Sequence, residues 1–314
     1  MSTPPFTTLT IAVLTYKRVS QIVDLIPKLV EQGRMVDASV RILVVDNDPE
    51  AGAREAVVAA LGDEGVYVHE AVPGIVAGRN RALAASGDQD LLVFIDDDEV
   101  PSARWLAQLV EVYRQADPSV VAVVGSVVSV FDREPEPWVE AGRFFDRRRL
   151  ATGTEITVAA TNNLLLDLRW LRGHGIVFDH RFGLSGGSDT LFSRAIVAQG
   201  GRMLWCDEAE VTDEVPVSRI TRAWVLQRAY RSGNSWSRTS LALEPSRLGR
   251  LRIRAGLLSK GAVRLVGGSA QSLLGRVRGS MRHDARGRRT ARRGAGMIAG
   301  AFGGVYSEYA RASH

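Results

Sequence analysis

The stretch Leu91 to Asp98 reads LLVFIDDD, an apolar run that ends in three consecutive acids. An unbroken apolar run of this length is typical of a strand that is buried on both faces of a sheet. Two earlier stretches repeat the arrangement. Leu9 to Leu14 (LTIAVL) is followed by Thr15 to Arg18, and Val40 to Val45 (VRILVV) is followed by Asp46 to Asp48. Because segments of helical periodicity separate these runs, we predict an α/β fold with a mostly parallel sheet flanked by helices.

Polar side chains therefore stand at the carboxyl end of three successive predicted strands, which is the edge where open α/β sheets bind ligands. Asp96, Asp97 and Asp98 repel one another unless a cation or hydrogen-bond donors neutralise them. Hard carboxylate oxygens suit Mg²⁺ or Mn²⁺, often together with substrate phosphates. The alternative is an acidic loop that only caps the helix predicted near Ser102.

Three further positions have both a functional and a structural interpretation. Asp46 could accept a hydrogen bond from a base or ribose, or could simply form an Asx turn. Arg79, within the glycine-containing stretch Pro73 to Asn80, could bind a ligand through its planar fork of donors, or could be solvated. Asp189 follows Gly186-Gly187 and could be a general base, or a first-turn acid that the helix dipole stabilises.

Composition and motifs exclude several classes of protein. The 314 residues are 45% hydrophobic and 24% charged, as in one large or two modest globular domains. The five histidines show no zinc-ligand spacing, no GxxxxGK[ST] loop occurs, and no GxGxxG follows the first strand. The single cysteine, Cys206, fits a reducing compartment. No signal peptide and no membrane-spanning apolar run is evident, so we expect a cytoplasmic protein.

The last quarter of the chain is strongly basic. Residues 241–314 contain 15 Lys and Arg against three acids, a net charge of +12. Because the whole chain has a net charge of +5, the first 240 residues carry −7. Leu251 to Gly268 interleaves apolar and basic residues, which predicts an amphipathic helix at an anionic membrane surface or a helix packed on the protein. The Arg- and Gly-rich stretch Arg276 to Gly296 is predicted to be disordered or a flexible connector. We therefore predict a domain 1–240 and a helical, basic extension 241–314.

Taken together, these motifs resemble the family 2 glycosyltransferases, which have the GT-A fold, and within them the bacterial exopolysaccharide (succinoglycan-type) β-1,4-glucosyltransferases. The resemblance covers roughly residues 8 to 235. It rests on six stretches in the family's order: TIAVLTYKR (10–18), ILVVDND (42–48), PGIVAGRNRAL (73–83), FIDDDEVP (94–101), ATNNLLL (160–166) and FDHRFGLSGGSDTLFSRAIVAQGG (178–201).

The resemblance implies an inverting, metal-dependent transfer of a hexose from a nucleotide-diphosphate sugar, with a UDP-sugar expected, to a saccharide acceptor that is expected to be lipid-linked. It places Asp189 as the catalytic base and Asp98, with Asp96, as the ligands of Mg²⁺ or Mn²⁺. The residues that it places at the nucleotide-sugar are Thr15, Arg18, Asp46, Arg79, Asp96 and Asp97. The expected location is cytoplasmic, peripheral at the inner face of the cell membrane.

The sequence departs from the family at two positions. Ser188 stands where the family has a glutamate beside the base, and Val211 to Glu214 lacks the histidine that often completes the metal site. Two other functions compete with sugar transfer. A nucleotidyltransferase that makes nucleotide-sugars would need a glycine-rich loop after the first strand, which Thr15 to Arg18 lacks. The other is a non-enzymatic protein whose basic tail binds nucleic acid or membrane. Without a metal, the acids at 96–98 would repel phosphate, so nucleic acid is not an expected partner.

Overall fold

A computed structural model describes residues 5–183 and 185–306 of the chain. The strands are β1 (Thr8–Thr15), β2 (Ser39–Asp46), β3 (Gly65–His69), β4 (Leu91–Asp96), β5 (Glu99–Pro101), β6 (Val120–Phe131), β7 (Glu155–Ile156), β8 (Asn163–Asp167) and β9 (Arg202–Val215). The helices are α1 (Val19–Arg34), α2 (Arg54–Leu61), α3 (Ile75–Ala85), α4 (Trp105–Gln115), α5 (Pro137–Gly142), α6 (Leu168–His174), α7 (Ser188–Ala198), α8 (Arg222–Ala242), α9 (Arg247–Val277) and α10 (Met281–Ala301).

These elements form two compact units. The first, an α/β unit, comprises 1–128, 147–183 and 192–213, and the second, a mainly helical unit, comprises 129–146, 184–191 and 214–314, as far as these ranges are described. The predicted domain boundary between residues 240 and 241 stays a prediction. Within the helical unit, α8, which lies almost wholly before that boundary, packs on α10, which follows it.

A single mixed sheet forms the centre of the α/β unit, with the order β3-β2-β1-β4-β8-β6-β9-β5 and with β7 paired to β9. The strands β3, β2, β1 and β4 are parallel, in a register that pairs Leu14 with Val45 and with Asp96. Beyond them, β8 runs antiparallel to both β4 and β6. The predicted α/β fold with helices beside the sheet is therefore confirmed, with parallel pairing in the first half of the sheet and antiparallel pairs in the second.

The sheet is buried on both faces because its strands are apolar at consecutive positions. On β1, Leu9, Ile11 and Val13 pack in one core cluster with residues of α1, α2 and α4. Ala12, on the opposite face, belongs to a second cluster with residues of α3, α6 and α7. Pro27 lies within α1 without ending it.

The helical unit is built on close contacts between α9 and α10. On α9, glycines recur at every seventh residue, at Gly261, Gly268 and Gly275. Two glycines of α10, Gly287 and Gly294, face them. A Cβ atom at Gly268 would lie 2.4 Å from the backbone nitrogen of Ala291, and one at Gly294 would lie 2.6 Å from the carbonyl oxygen of Gly261. The prediction of disorder across 276–296 is therefore wrong, because the glycines there are contact positions between helices.

No helix within residues 5–183 and 185–306 combines the length and the hydropathy needed to cross a bilayer. The stretch 251–268, predicted as an amphipathic helix, lies inside α9. That helix contacts α10 through its glycine side and leaves much of its apolar surface exposed.

Candidate functional site

The acids that follow β4 lie in a tight turn at the carboxyl edge of the sheet. Asp96 is the last residue of β4, Asp97 and Asp98 form the turn, and Glu99 begins β5, which pairs with β9. The backbone N–H of Asp96 donates to the Glu99 carboxylate at 3.2 Å. The turn thus gathers four carboxylates within four residues, as the sequence predicted for the first three.

Arg18 and Thr15, from the end of β1, neutralise this turn. The Thr15 hydroxyl donates to Asp97 at 2.8 Å, and one Arg18 nitrogen contacts both Asp97 and Asp98 at 2.7 Å. Burial raises the pKa of Asp97, an effect that Arg18 and Thr15 oppose but do not cancel. The structure thereby brings together four of the residues predicted for the nucleotide and metal site, namely Thr15, Arg18, Asp97 and Asp98.

Glu99 forms a second, deeper layer of the acidic turn that the sequence reasoning did not assign. Its side chain is 3% exposed and accepts a hydrogen bond from Asn162 at 2.5 Å. Burial, and then the charge of Asp96, raise the pKa of Glu99 well above its ordinary value. Opposite Glu99 on β9 stands Asp213, whose carboxylate is paired with Arg147. The sequence offered one signal for this layer, because Glu99 extends the acidic run.

Asp46 lies at the end of β2, where the sequence predicted it, but protein groups surround its carboxylate. It is fully buried and accepts hydrogen bonds from the backbone N–H of Asp48 and of Ala53 at 3.0 and 3.2 Å. The Tyr67 hydroxyl donates to it at 2.9 Å. Burial, followed by this hydrogen bond, raises the pKa of Tyr67 to about 12. Asp46 thus organises the loop after β2, as an Asx-turn residue does, and its contact with a base stays a prediction.

The neighbouring Asn47 connects this loop to the start of α3, which carries Arg79. Its amide donates to the carbonyl oxygens of Glu70 and Val72 at 2.9 and 2.7 Å and accepts from the N–H of Gly74 at 3.0 Å. Gly74 has φ +115°, a conformation that favours glycine, just before α3 begins. Arg79 is 7% exposed, and its guanidinium lies 5.5 Å from the centre of the Phe178 ring. It is thus a buried, fixed cation rather than a solvated one.

Asp189 belongs to the helical unit and lies in the first turn of α7. The preceding Gly186 and Gly187 both have positive φ, of +71° and +90°, which this entry into the helix requires. The Ser188 hydroxyl donates to the Asp189 carboxylate at 3.0 Å. A Cβ atom at Gly187 would lie 2.9 Å from that of Ser235 on α8, so the turn is packed against this helix. Asp189 is therefore held at a defined place, with Ser188 as a hydrogen-bonding neighbour where the family has glutamate.

The donor chemistry of the acidic turn suits a hard divalent cation, since its groups are all carboxylate oxygens. In the described part of the chain, no three His, Cys, Asp or Glu side chains are arranged around a common metal position. In many nucleotide enzymes, Mg²⁺ binds through one or two carboxylates and substrate phosphates.

Comparison with known proteins agrees with this architecture. The succinoglycan biosynthesis protein ExoM of Rhizobium meliloti (strain 1021) is 33% identical to the chain over 232 residues, which are 73% of this chain and 74% of ExoM. The mannosyltransferase PcManGT from Pyrobaculum calidifontis, solved with GDP-Man and Mn²⁺, superposes with a TM-score of 0.62 at 17% identity, covering 96% of this chain and 89% of its own.

The structure of S. aureus TarS 1–349 in complex with UDP-GlcNAc superposes with a TM-score of 0.51 at 14% identity, covering 91% and 90% of the two chains. These two solved structures establish the likeness of fold, which is that of GT-A glycosyltransferases. The sequence model described as Glycosyl transferase family 2 matches residues 10–175, which include the β1, β2 and β4 ends and α3. The chain is an enzyme that belongs to glycosyl transferase family 2.

Proposed function

We propose that this glycosyltransferase moves a hexose, with inversion, from a nucleotide-diphosphate sugar to a lipid-linked saccharide during synthesis of a bacterial surface polysaccharide. The observation that carries the proposal is the contact of Arg18 with Asp97 and Asp98, supported by Thr15, at the carboxyl edge of the sheet. ExoM, whose name refers to succinoglycan biosynthesis, supports the polysaccharide assignment.

The acidic turn is the proposed donor site. Asp98, whose side chain is 25% exposed, and Asp96 would hold Mg²⁺ or Mn²⁺, and PcManGT was solved in complex with GDP-Man and Mn²⁺. When bound, such a cation neutralises the charge that gathers on a departing diphosphate. Arg18 has a second role here, because its guanidinium can leave the carboxylates and contact phosphate oxygens instead. Thr15 keeps Asp97 oriented meanwhile.

The donor is proposed to be a UDP-sugar. TarS was solved with UDP-GlcNAc and PcManGT with GDP-Man, so the fold accommodates either base in other proteins. In this chain, Asp46 and Arg79 are the residues that we propose for the base and phosphate side. Both are buried and fixed by their neighbours, so they can present a rigid surface to the nucleotide.

Asp189 is proposed to be the general base. A carboxylate within hydrogen-bond reach of the acceptor hydroxyl can take its proton while the oxygen attacks the anomeric carbon. The Ser188 hydroxyl, 3.0 Å from the Asp189 carboxylate, orients that carboxylate but adds no negative charge to it.

The proposed acceptor implies contact with the cytoplasmic leaflet of the membrane, and α9 offers the surface for it. Residues 263, 266, 270, 274 and 277 recur at steps of three and four, which places them on one side of the helix. Val263 and Val266 are each 70% exposed, and Val277 is 77% exposed. The cations Arg252, Arg254 and Lys260 of the same helix are also exposed. An exposed apolar face with flanking cations is the pattern of a helix that lies on anionic lipid.

A screen of nucleotide-sugars tests the proposed chemistry. We expect one donor, a UDP-sugar, to raise the melting temperature and to be hydrolysed slowly without acceptor, in both cases only when Mg²⁺ or Mn²⁺ is present. Failure of every nucleotide-sugar, with the folded protein and either metal, would contradict the proposal. Release of pyrophosphate from a nucleoside triphosphate and a sugar phosphate would instead favour the nucleotidyltransferase.

Sedimentation with vesicles tests the membrane surface. Binding to phosphatidylglycerol vesicles should exceed binding to phosphatidylcholine vesicles and should weaken with salt. The variant V263S/V266S should lose most of this binding, whereas V58S/V72S, which alters exposed valines of the α/β unit, should not. Point variants test this surface better than truncation at Leu241 would. Because α8 and α10 pack together, truncation would remove α10 and expose its contact surface on α8. Equal binding by V263S/V266S and the wild type would contradict a role for α9.

A further inference from the structure

The helical unit contains an open cavity of about 550 Å³ that is lined mainly by arginines. The basic residues around it are Arg143, Arg264, Arg286, Arg289 and Arg293, and the polar ones include Gln271 and Thr290. This volume lies within the range of about 300 to 1,000 Å³ that is typical of small-molecule sites. We call this feature the arginine cavity.

Four of the five arginines form no ion pair with any described residue. Asp146, which also lines the arginine cavity, is paired with Arg143. In residues 5–183 and 185–306, no carboxylate lies within salt-bridge distance of the other four, Arg264, Arg286, Arg289 and Arg293. Elsewhere on α10 the chain does supply an anion, since Arg288 pairs with Asp284 at 3.0 Å. Among the described residues, Arg282 and Arg292 of α10 form no ion pair either, so the arginine cavity is distinguished by the grouping of its cations around one space.

The four guanidinium groups are close enough to affect one another. Partial shielding of the guanidinium from water lowers the pKa of Arg293, although the residue as a whole is exposed, and the charges of Arg264 and Arg289 lower it further. Burial also lowers the pKa of Arg289, as does the charge of Arg286, while Asp146 raises it. Like charges held together cost free energy until an anion neutralises them.

Neighbouring groups hold two of these arginines, Arg264 and Arg289, in place. Arg289 donates to the carbonyl oxygen of Arg143 at 3.1 Å, and its guanidinium lies 5.6 Å from the centre of the Phe144 ring. Arg264 contacts the sulfur of Met297 at 3.2 Å. The glycine contacts between α9 and α10 fix the backbones that carry Arg264 and Arg293. The guanidinium groups of Arg264 and Arg289 are thus preorganised, which lowers the entropic cost of binding a ligand.

We propose that the arginine cavity binds a diphosphate group. Planar guanidinium groups bind phosphate oxygens in bidentate fashion, and four unpaired cations match the two to three charges and the many oxygens of a diphosphate better than those of a carboxylate. The same helix that contributes Arg264 exposes Val263 and Val266 beside it in sequence, which suits a diphosphate that carries an aliphatic chain. That lipid-borne assignment rests on the proposed lipid-linked acceptor; the diphosphate site itself does not.

Calorimetric titration of the full-length protein with inorganic pyrophosphate, in EDTA so that no metal can recruit it to the acidic turn, tests the site. We expect R289Q/R293Q to bind pyrophosphate about tenfold more weakly than the wild type or worse. The matched control is R282Q/R292Q, which removes the same charge from α10 at positions outside the cavity lining. The single variant R286Q serves if the double variant does not fold.

The outcomes separate the possibilities. Equal loss in the cavity variant and in R282Q/R292Q would show diffuse surface charge and would overturn the proposal, as would no loss in either. A single-stranded oligonucleotide that binds more tightly than pyrophosphate, and loses affinity equally in both double variants, would overturn it in favour of a nucleic-acid surface.

A second titration, with farnesyl diphosphate, distinguishes the source of the diphosphate. For a lipid-borne group, farnesyl diphosphate should bind more tightly than pyrophosphate, and V263S/V266S should remove only that excess. Equal affinities would support the diphosphate site and overturn the lipid-borne assignment. Metal-dependent hydrolysis of the donor should stay unchanged in R289Q/R293Q. Donor hydrolysis therefore tests the proposed sugar transfer, and pyrophosphate binding tests the arginine cavity, so the two proposals can fail independently.

Discussion

The acidic turn after β4 and the arginine cavity are opposite solutions to the same electrostatic problem. In the acidic turn, crowded carboxylates receive neutralising partners from the protein itself, chiefly Arg18, Thr15 and Asn162. In the arginine cavity, four crowded cations receive none from the described chain. A ligand of the turn must therefore displace an internal counterion, whereas a ligand of the cavity supplies one. The first arrangement favours selectivity and the second favours affinity for anions.

The largest expected effect tests the chemistry of the acidic turn. We expect D98N and D96N each to reduce sugar transfer to background at saturating Mn²⁺ while the protein stays folded. Asp96 ends β4 and Asp98 lies in the turn after it, so neither packs in the apolar core. The measurement is turnover of the nucleotide-sugar, with melting temperature as the test of folding. The control is D63N, which neutralises an exposed aspartate after α2. Near-wild-type turnover in either variant would show that the metal assignment is wrong.

Replacement of Asp189 should have the next largest effect. We expect D189A to bind donor normally but to transfer sugar about 10² to 10⁴ times more slowly, as is usual when a general base is lost. S188A removes one hydrogen bond worth about 1 kcal/mol and should slow transfer only about fivefold. Donor affinity is measured by titration with the nucleotide-sugar, and transfer with a saccharide acceptor. Loss of donor binding by a folded D189A protein is the result that would exclude a general-base role.

The helical unit that carries the arginine cavity can be broken by a single methyl group. A Cβ atom at position 268 would lie 2.4 Å from the nitrogen of Ala291, whereas one at 267 would meet no atom within 4 Å. We expect G268A to lower the free energy of unfolding by about 1 to 3 kcal/mol. G267A should raise it by about 0.5 to 1 kcal/mol through helix propensity. Urea unfolding measures both, and equal stabilities would contradict the close contact of α9 with α10.

Removal of the internal counterion sharpens the comparison directly. Without its guanidinium, R18Q leaves Asp97 and Asp98 repelling each other, so we expect a loss of about 1 kcal/mol of stability in EDTA, discounted for the partial exposure of Arg18. Mn²⁺ should then raise the melting temperature of R18Q more than that of the wild type. The control is R34Q, which breaks a surface pair with Glu64. Identical Mn²⁺ shifts in R18Q and the wild type would mean that Arg18 does not neutralise the turn.

The smallest expected effect concerns the carboxylate of Asp46 and appears in alkali. The folded-state pKa of Tyr67 is about 12, above the value near 10 of an unfolded tyrosine. The stability linked to Tyr67 is therefore complete below pH 10 and is lost as the pH rises from 10 toward 12. Y67F should be less stable than the wild type at pH 8, but should lose less stability between pH 8 and 11. Parallel pH profiles of urea unfolding would contradict this.

The sequence predicted the parallel half of the sheet well, because β1, β2 and β4 are apolar at consecutive positions and end in polar residues. It predicted β9 poorly. The apolar pattern predicts a strand only over 202–206, because Asp207, Glu208 and Glu210 interrupt it, yet the strand continues to Val215. There, cross-strand pairing and ion pairs such as Arg149 with Glu210 hold the acids in a sheet. Such partners come from distant parts of the chain and leave no local signal.

The site residues also were predictable where the signal is local and unpredictable where it depends on distant parts of the chain. Thr15, Arg18, Asp97 and Asp98 were predictable, since each stands next to a strand end and strand ends converge at one edge. The role of Asn162 beside Glu99 depends on long-range contacts, and so does the cavity that groups Arg264 with Arg293. In 276–296, glycine was taken as a sign of flexibility. Its seven-residue spacing, matched on α9, was the available signal for helix contact.

The two sides of α9 are subject to different evolutionary constraints. Gly268 has no room for even one added carbon, so that side of the helix should be nearly invariant under selection for folding alone. Val263, Val266 and Val277 are exposed on the remainder of the helix and are constrained only by whatever they touch outside the protein. In a saturation-mutagenesis library selected for expression, tolerance along α9 should fall every seventh residue. A second selection, for polysaccharide production, would then isolate the requirements of the exposed side, which makes this helix a site for redirecting the enzyme without redesigning its fold.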